Sequence, residues 1–345
     1  MLRQNCRYIF PTFSVSSIGK YDNSFNVWFN DLLTILYTWS SEIILKDMKN
    51  ENYVSIYRND ARPCEHDIYV LIGNFNALLY NFEKLSHTNL FQQPNLFILT
   101  VFEGTDLIIK SPDIDQRCRK TLNTCNIFPV STYCKDILTK HGFFVKQIMP
   151  NFVGKDKYDL SFTPDFSSTE FIFICVSTNA RRKNVQLLID VFNSGFSDTN
   201  HVKLYLRVDG IDVNSFTPNI KSIPPQLSMS QLYKQGHCVI LPSSVEGFGM
   251  PVLEGLLNGL PAVVPYHSGL VDFVNATNSL PVKYTVSKKP YVTRDSGIYG
   301  DIYDIDTDDL LKQMKKMVTQ AHSLSKTIDR THLYNTFANE SSFVS

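Results

Sequence analysis

The chain alternates two hydrophobic rhythms. Short apolar runs in the first half, "CRYIFPTF", "YVSIY", "DIYVLIGNF" and "NLFILTVF", have the composition of buried strands. Between them, "NVWFNDLLTILYTW" and "ALLYNFEKL" carry apolar residues at helical spacing. A polar stretch with Pro150, Gly154 and Pro164 then interrupts the pattern and reads as a linker. Beyond it the rhythm resumes: strand "FIFICVS", helix "NVQLLIDVFNSGF", strand "VKLYLRV", helix "SMSQLYKQG" and strand "HCVILPSS". "DTDDLLKQMKKMV", with acids first and lysines later, suits a helix dipole, and "LYNTFANE" reads as a last helix. Strands alternating with helices predict open parallel sheets covered on both faces. The expectation is an α/β protein of two doubly wound domains, residues 1–152 and 153–325. A terminal helical segment, 326–345, follows and could cross back to the first domain.

Composition narrows the field. With 345 residues, 43% of them hydrophobic, the chain is long for one domain and can bury large cores. Its formal net charge is zero, which argues against a general nucleic-acid binder. Seven scattered cysteines show no C-x-x-C spacing, so neither zinc nor a disulfide framework is indicated. No apolar run reaches membrane-span length and the first residues are too short of apolar character for a signal peptide. A cytoplasmic protein is expected, with no transmembrane segment, although peripheral membrane contact stays open.

The chemistry concentrates in Ser243–Pro261, "SSVEGFGMPVLEGLLNGLP". Pro251 suits the first position of a helix, and Gly259 with Pro261 suits its end. The segment therefore predicts strand, glycine-bearing loop, short helix. Gly247 and Gly249 allow close backbone approach, and the helix start offers free N–H groups to an anion such as a phosphate. Glu246 and Glu254 would repel that phosphate, so they are expected to face neutral hydroxyl donors. A ligand with diols on both sides of its phosphates, such as a nucleotide sugar, satisfies both demands.

"EGFGMPVLE", with glutamates eight apart, resembles the E-x7-E signature of retaining GT-B glycosyltransferases of the family 4 type, and "GLPAVVPYHSGLVDFV" continues the likeness. The resemblance implies two Rossmann-like domains facing across a cleft. It assigns Glu246 to the donor sugar, Gly247, Phe248, Gly249 and Met250 to sugar and diphosphate, and Glu254 to the ribose. In "VSTNARRKNVQLLIDVF" the helix is expected to begin near Lys183, placing Arg181, Arg182 and Lys183 in or just before its first turn. Cations there oppose the helix dipole, which suggests an anion held at the same end. The family has an arginine and a lysine on the donor diphosphate; Lys183 matches the lysine, and Arg181 or Arg182 must replace an arginine missing near Ser177.

The first half resembles the family less well. Only Gly19 stands where many relatives have a glycine pair. Glu103, in "TVFEGTDL", is the candidate for orienting or deprotonating an acceptor hydroxyl. Ser131 is expected to cap a helix that His141 closes, and His267 to lie near the sugar.

The resulting expectation is a glycosyltransferase of carbohydrate biosynthesis, with Glu246, Lys183 and Glu103 as catalytic candidates. It would take a nucleotide diphosphate sugar as donor and a glycan, lipid or protein-linked sugar as acceptor, with no required metal. A non-catalytic nucleotide-sugar-binding protein of the same fold and a glycoside hydrolase are the alternatives.

Overall fold

The computed structural model describes residues 6–12, 42–47, 53–58, 66–107, 111–211, 217–287 and 300–339. Two compact units emerge: 1–152 with 291–300 and 339–345, and 153–290 with 301–338. The helix expected over "NVWFNDLLTILYTW" and the loop glycine Gly19 lie outside the described residues.

The first unit contains a six-stranded sheet in the order β3-β2-β1-β4-β5-β6. Its strands are β1 (Cys6–Thr12), β2 (Glu42–Asp47), β3 (Tyr53–Arg58), β4 (His66–Asn74), β5 (Leu96–Val101) and β6 (Asn126–Pro129). The sheet is parallel except at one edge, where β3 runs antiparallel to β2. That is a departure from the all-parallel expectation, and a short connection suffices for it because antiparallel neighbours need no crossover helix. The stretch "ALLYNFEKL" is likewise two helices rather than one, α1 (Phe75–Tyr80) and α2 (Phe82–Ser86). The break is at Asn81 (φ −96°, ψ 6°), where the side-chain amide and the backbone N–H both donate to the Ala77 carbonyl. Helix α3 (Pro112–Leu122) is capped by Ser111, and α4 (Thr132–Lys140) by Ser131, as its position before the helical pattern implied. His141 closes α4.

The second unit holds a fully parallel six-stranded sheet, order β12-β11-β10-β7-β8-β9. These strands are β7 (Phe171–Thr178), β8 (Val202–Asp209), β9 (Ile220–Ser222), β10 (Cys238–Ile240), β11 (Ala262–Pro265) and β12 (Ser279–Val282). Helix α5 (Val185–Phe196) buries Val185, Leu188, Ile189, Phe192 and Phe196 against it, the stripe that the sequence spacing announces. The short α6 (Met229–Tyr233) starts with a capping box between Ser228 and Gln231, and α7 (Met250–Leu257) follows β10. An antiparallel ribbon, β13 (Tyr284–Val286) and β14 (Tyr303–Ile305), leads into α8 (Thr307–Thr327). α8 buries Leu310, Met314, Met317 and Ala321. Each large apolar side chain so buried contributes about 1.5–3 kcal/mol.

The last helix, α9 (Arg330–Phe337), packs on α7 within this unit. Arg330 donates to the carbonyls of Leu257 (2.8 Å), Phe162 (2.8 Å) and Asp159 (2.6 Å), and Asn258 bonds to Asp159 and Lys157. Much of the polar stretch read as a linker is thereby pinned to the second unit.

Candidate functional site

The site residues of the second unit gather at the carboxyl edge of its sheet, where β7 and β10 lie side by side. After β7 the chain makes a 3-10 turn, Arg181–Lys183, then a left-handed residue, Asn184 (φ 54°), before α5 begins. The cations therefore sit in a separate turn just before the helix, one of the two placements the spacing allows. Asn184 tolerates that conformation because its amide donates to the Pro242 carbonyl and the Ser244 hydroxyl, both at 2.9 Å. The Arg182 carbonyl accepts from the Ser244 N–H at 2.7 Å, and its guanidinium donates to the Val245 carbonyl at 3.1 Å. Turn and loop are thus stitched together by main-chain and side-chain bonds alike.

Glu246 lies between these partners. Its Oε1 accepts from Lys183 Nζ at 2.5 Å and lies 3.5 Å from Arg182 Nη1, with the carboxylate 4% exposed. The sequence expects Glu246 to face the hydroxyls of a ligand; within the protein it also pairs with two cations, as a carboxylate so buried needs opposite charge beside it. Burial alone would raise the Glu246 carboxyl, but the Lys183 ammonium and Arg182 guanidinium outweigh it and hold its pKa below the usual value. Of the two arginines, Arg182 is the buried one that joins the cluster, whereas Arg181 is exposed. Cys175, fully buried on β7 nearby, is pushed up to about 12 by burial and stays a thiol.

The loop after Glu246 is tight. Gly249 adopts φ 100° and opens α7, with Pro251 in the first turn and Gly259 (φ 81°) just past the end. The Phe248 ring is buried against Phe273 (5.4 Å) and Phe337 (5.8 Å), which leaves its backbone, the part assigned to sugar and diphosphate, to the loop. Met250 is also buried, at the helix start. Gly269 packs so closely that a β-carbon there would fall 2.2 Å from the Gly247 carbonyl oxygen and 2.7 Å from Phe248 N. Gly269 N–H donates to the Glu246 carbonyl, completing the seam.

Glu254 projects from α7 into the interior and is 4% exposed. Its Oε2 accepts from the Tyr233 hydroxyl at 3.0 Å. Burial, then the Glu254 carboxylate, raises that phenol well above its ordinary value, so Tyr233 is a fixed donor. Tyr233 is not legible as a site residue, since a tyrosine in an amphipathic pattern reads as core, and neither is Ser268, whereas His267 is expected near the sugar. His267, 4% exposed, bonds through Nδ1 to Ser268 Oγ at 2.9 Å, and Ser268 Oγ accepts from the Glu246 N–H at 3.0 Å. Its ring stacks on Tyr303 (4.4 Å, 28°) and meets Tyr284 edge-on (4.7 Å, 89°).

In the first unit Glu103 is half-buried just after β5, in a segment where the Tyr133 hydroxyl donates to the Gly104 carbonyl. His141 faces Asp106 Oδ1 at 2.8 Å; burial lowers its pKa and Asp106 opposes that shift. Among the described residues no cluster of three or more His, Cys, Asp or Glu could hold a metal ion, and no helix is long and apolar enough to cross a membrane.

Residues 178–339 match the model of a family described as family 4 glycosyltransferase in conflict systems. The uncharacterized glycosyltransferase 335 of Sulfolobus islandicus rod-shaped virus 1 is 26% identical over 194 residues, covering 50% of this chain and 57% of its own. Sucrose-phosphate synthase of Thermosynechococcus elongatus superposes with a TM-score of 0.65 at 13% identity, over 98% of this chain and 96% of its own. Anabaena HepE, in complex with UDP and glucose, gives 0.64 at 12% identity, over 98% and 97%. TarM gives 0.55 at 17% identity, over 81% of this chain and 53% of its own. The chain thus spans little more than half the length of the viral relative and of TarM. The fold is GT-B, and the resemblance to family 4 glycosyltransferases is borne out.

Proposed function

We propose that this chain, a GT-B protein whose second unit carries the family 4 glycosyltransferase pattern, transfers a sugar from a nucleotide diphosphate sugar to an acceptor hydroxyl with retention of configuration. One observation carries the reading: two cations, Lys183 and Arg182, and one buried carboxylate, Glu246, are locked together at the sheet's carboxyl edge, where doubly wound folds bind ligands. Departure of a nucleoside diphosphate leaves negative charge, and Lys183 and Arg182 are preorganised to stabilise it without calling on a metal. Losing one such donor typically costs about 100 to 1,000-fold in rate. Lys183 would divide its donors between Glu246 and the diphosphate, holding Glu246 ready for the sugar hydroxyls. Glu254, its orientation set by Tyr233, is the proposed partner of the ribose diol, and backbone groups of Gly247, Phe248 and Gly249 the partners of sugar and diphosphate. The acceptor attacks from the face the diphosphate leaves, and the diphosphate takes the acceptor proton. Glu103 of the first unit is the proposed contact for the acceptor hydroxyl.

HepE's complex with UDP and glucose suggests the first donors to try. Incubating the protein with UDP-sugars and a panel of glycan acceptors, while following nucleotide release and the product's anomeric proton by NMR, tests the proposal. An α-linked product from an α-linked donor is expected. Free sugar formed at the full turnover rate without any acceptor would make the protein a hydrolase instead.

A further inference from the structure

We infer that His267 is a positioning residue for Glu246, acting through the Ser268 hydroxyl, and that the β13–β14 ribbon is the clamp that holds its imidazole in place. The functional consequence rests on the donor-site reading above; the structural claim does not.

The chain of contacts is continuous. Glu246 N–H donates to Ser268 Oγ (3.0 Å), so that oxygen is already an acceptor. A buried hydroxyl also needs somewhere to send its own hydrogen, and His267 Nδ1, at 2.9 Å, is the acceptor beside it. Sending that hydrogen to Nδ1 puts the imidazole proton on the buried Nε2.

Backbone strain points the same way. Among the described residues, the non-glycine residues with positive φ are Asn184 (54°) and Ser268 (51°). Both spend their side chains on the 242–246 loop: Asn184 on Pro242 and Ser244, Ser268 on Glu246. Glycine would fit either position with less strain, so a serine at 268 makes sense where its hydroxyl is used. The clamp is equally direct. Tyr303 lays its ring on the imidazole while its N–H donates to the Ser244 carbonyl at 3.0 Å, and Tyr284 closes the edge. The ribbon thus grips both the histidine and the loop that the histidine positions. The titratable groups facing the imidazole are the phenols of Tyr284 and Tyr303 and, beyond Ser268, the Glu246 carboxylate. Burial keeps the ring neutral against the pull of that carboxylate, so Nδ1 stays an acceptor at neutral pH.

Amide hydrogen exchange in the full chain at neutral pH reads this directly, with three variants. His267→Phe keeps a ring for the tyrosines but removes the acceptor; Glu246 N–H exchange should quicken by roughly tenfold, about the value of one hydrogen bond. His267→Asn restores an acceptor near the Nδ1 position and should return exchange to within about twofold of wild type. Ser268→Ala, should the phenylalanine variant not fold, must reproduce the faster exchange. Amides of Leu204 and Leu206, remote in β8, should not change in any of them. In wild type the 15N shifts of His267 should report the Nε2–H tautomer. Unchanged Glu246 exchange in both His267→Phe and Ser268→Ala, or an Nδ1–H tautomer, would overturn the inference. With UDP-glucose as the donor probe, His267→Phe should lower kcat while leaving UDP affinity unchanged, and His267→Asn should recover it. If wild type neither binds UDP nor turns over, the donor-site reading falls, and the exchange result still decides the positioning role.

Discussion

The residues that matter most are buried polar groups whose neighbours fix their ionisation. His267 is the clearest case: burial holds its pKa at about 4, against 6.5 for a free imidazole, although Glu246 pulls the other way. Its folded-state value lies below its unfolded one, so between these values the unfolded chain binds more protons. Stability is therefore intact above pH 6.5 and falls as pH drops towards 4, by about 2 kcal/mol at pH 5 from this group. His141 and His237, also lowered by burial, push in the same direction, so the comparison must be with His267→Phe. Urea unfolding at pH 7 and pH 5 should show a smaller acid loss in that variant; an equal loss means that the imidazole is not held neutral. Glu254 makes a second test. If it binds a ribose diol, Glu254→Gln weakens nucleoside diphosphate binding by about 1.5–3 kcal/mol with the fold intact. Unchanged affinity by calorimetry would leave Glu254 as a structural partner of Tyr233 alone.

At the scale of elements, the loop from Ser243 to α7 and the seam it makes with residues 268–269 carry the argument. Gly269→Ala would drive a β-carbon into the Gly247 and Phe248 backbone, which has no flexible end to move aside. The expected cost is about 1–3 kcal/mol of stability, with weaker nucleotide binding. Wild-type thermal stability in this variant would show that the seam is looser than described. The same elements show what a sequence can reveal. The stripe Val185, Leu188, Ile189, Phe192 and the Gly249–Pro251–Gly259 punctuation announce α5 and α7 because each signal is local. β2 and the antiparallel sense of β3 are not local properties; they depend on which strand lies alongside. The break at Asn81 hides because the apolar spacing continues through it. Within the site, Glu246, Lys183 and Glu254 were legible from their spacing. Their orientations were not, because Glu246's turn toward Lys183 follows from burial, which only the fold determines. Tyr233 and Ser268 escaped for the same reason.

For the molecule as a whole, the proposed function makes the second unit a nucleotide-diphosphate-sugar site whose cations are fixed in advance by the loop that carries Glu246. Arg330, which ties α9 to Asp159, Phe162 and Leu257, holds the segment after residue 152 onto this unit. Arg330→Ala should lower its unfolding free energy by about 1.5–3 kcal/mol in denaturant titration, since it strands three part-buried carbonyls. A change under 0.5 kcal/mol would mean that those carbonyls find water instead. The central claim is about phosphate charge, and calorimetry reads it most directly. UDP, GDP and ADP, each paired with its monophosphate, are titrated into wild type and Lys183→Ala. The account predicts that wild type prefers at least one diphosphate over its monophosphate by tenfold or more, roughly the 1.4 kcal/mol that a charge-assisted contact supplies, and that Lys183→Ala erases most of the preference. If wild type binds mono- and diphosphates equally, or the variant keeps the full preference, Lys183 does not serve the diphosphate and the proposed function is wrong.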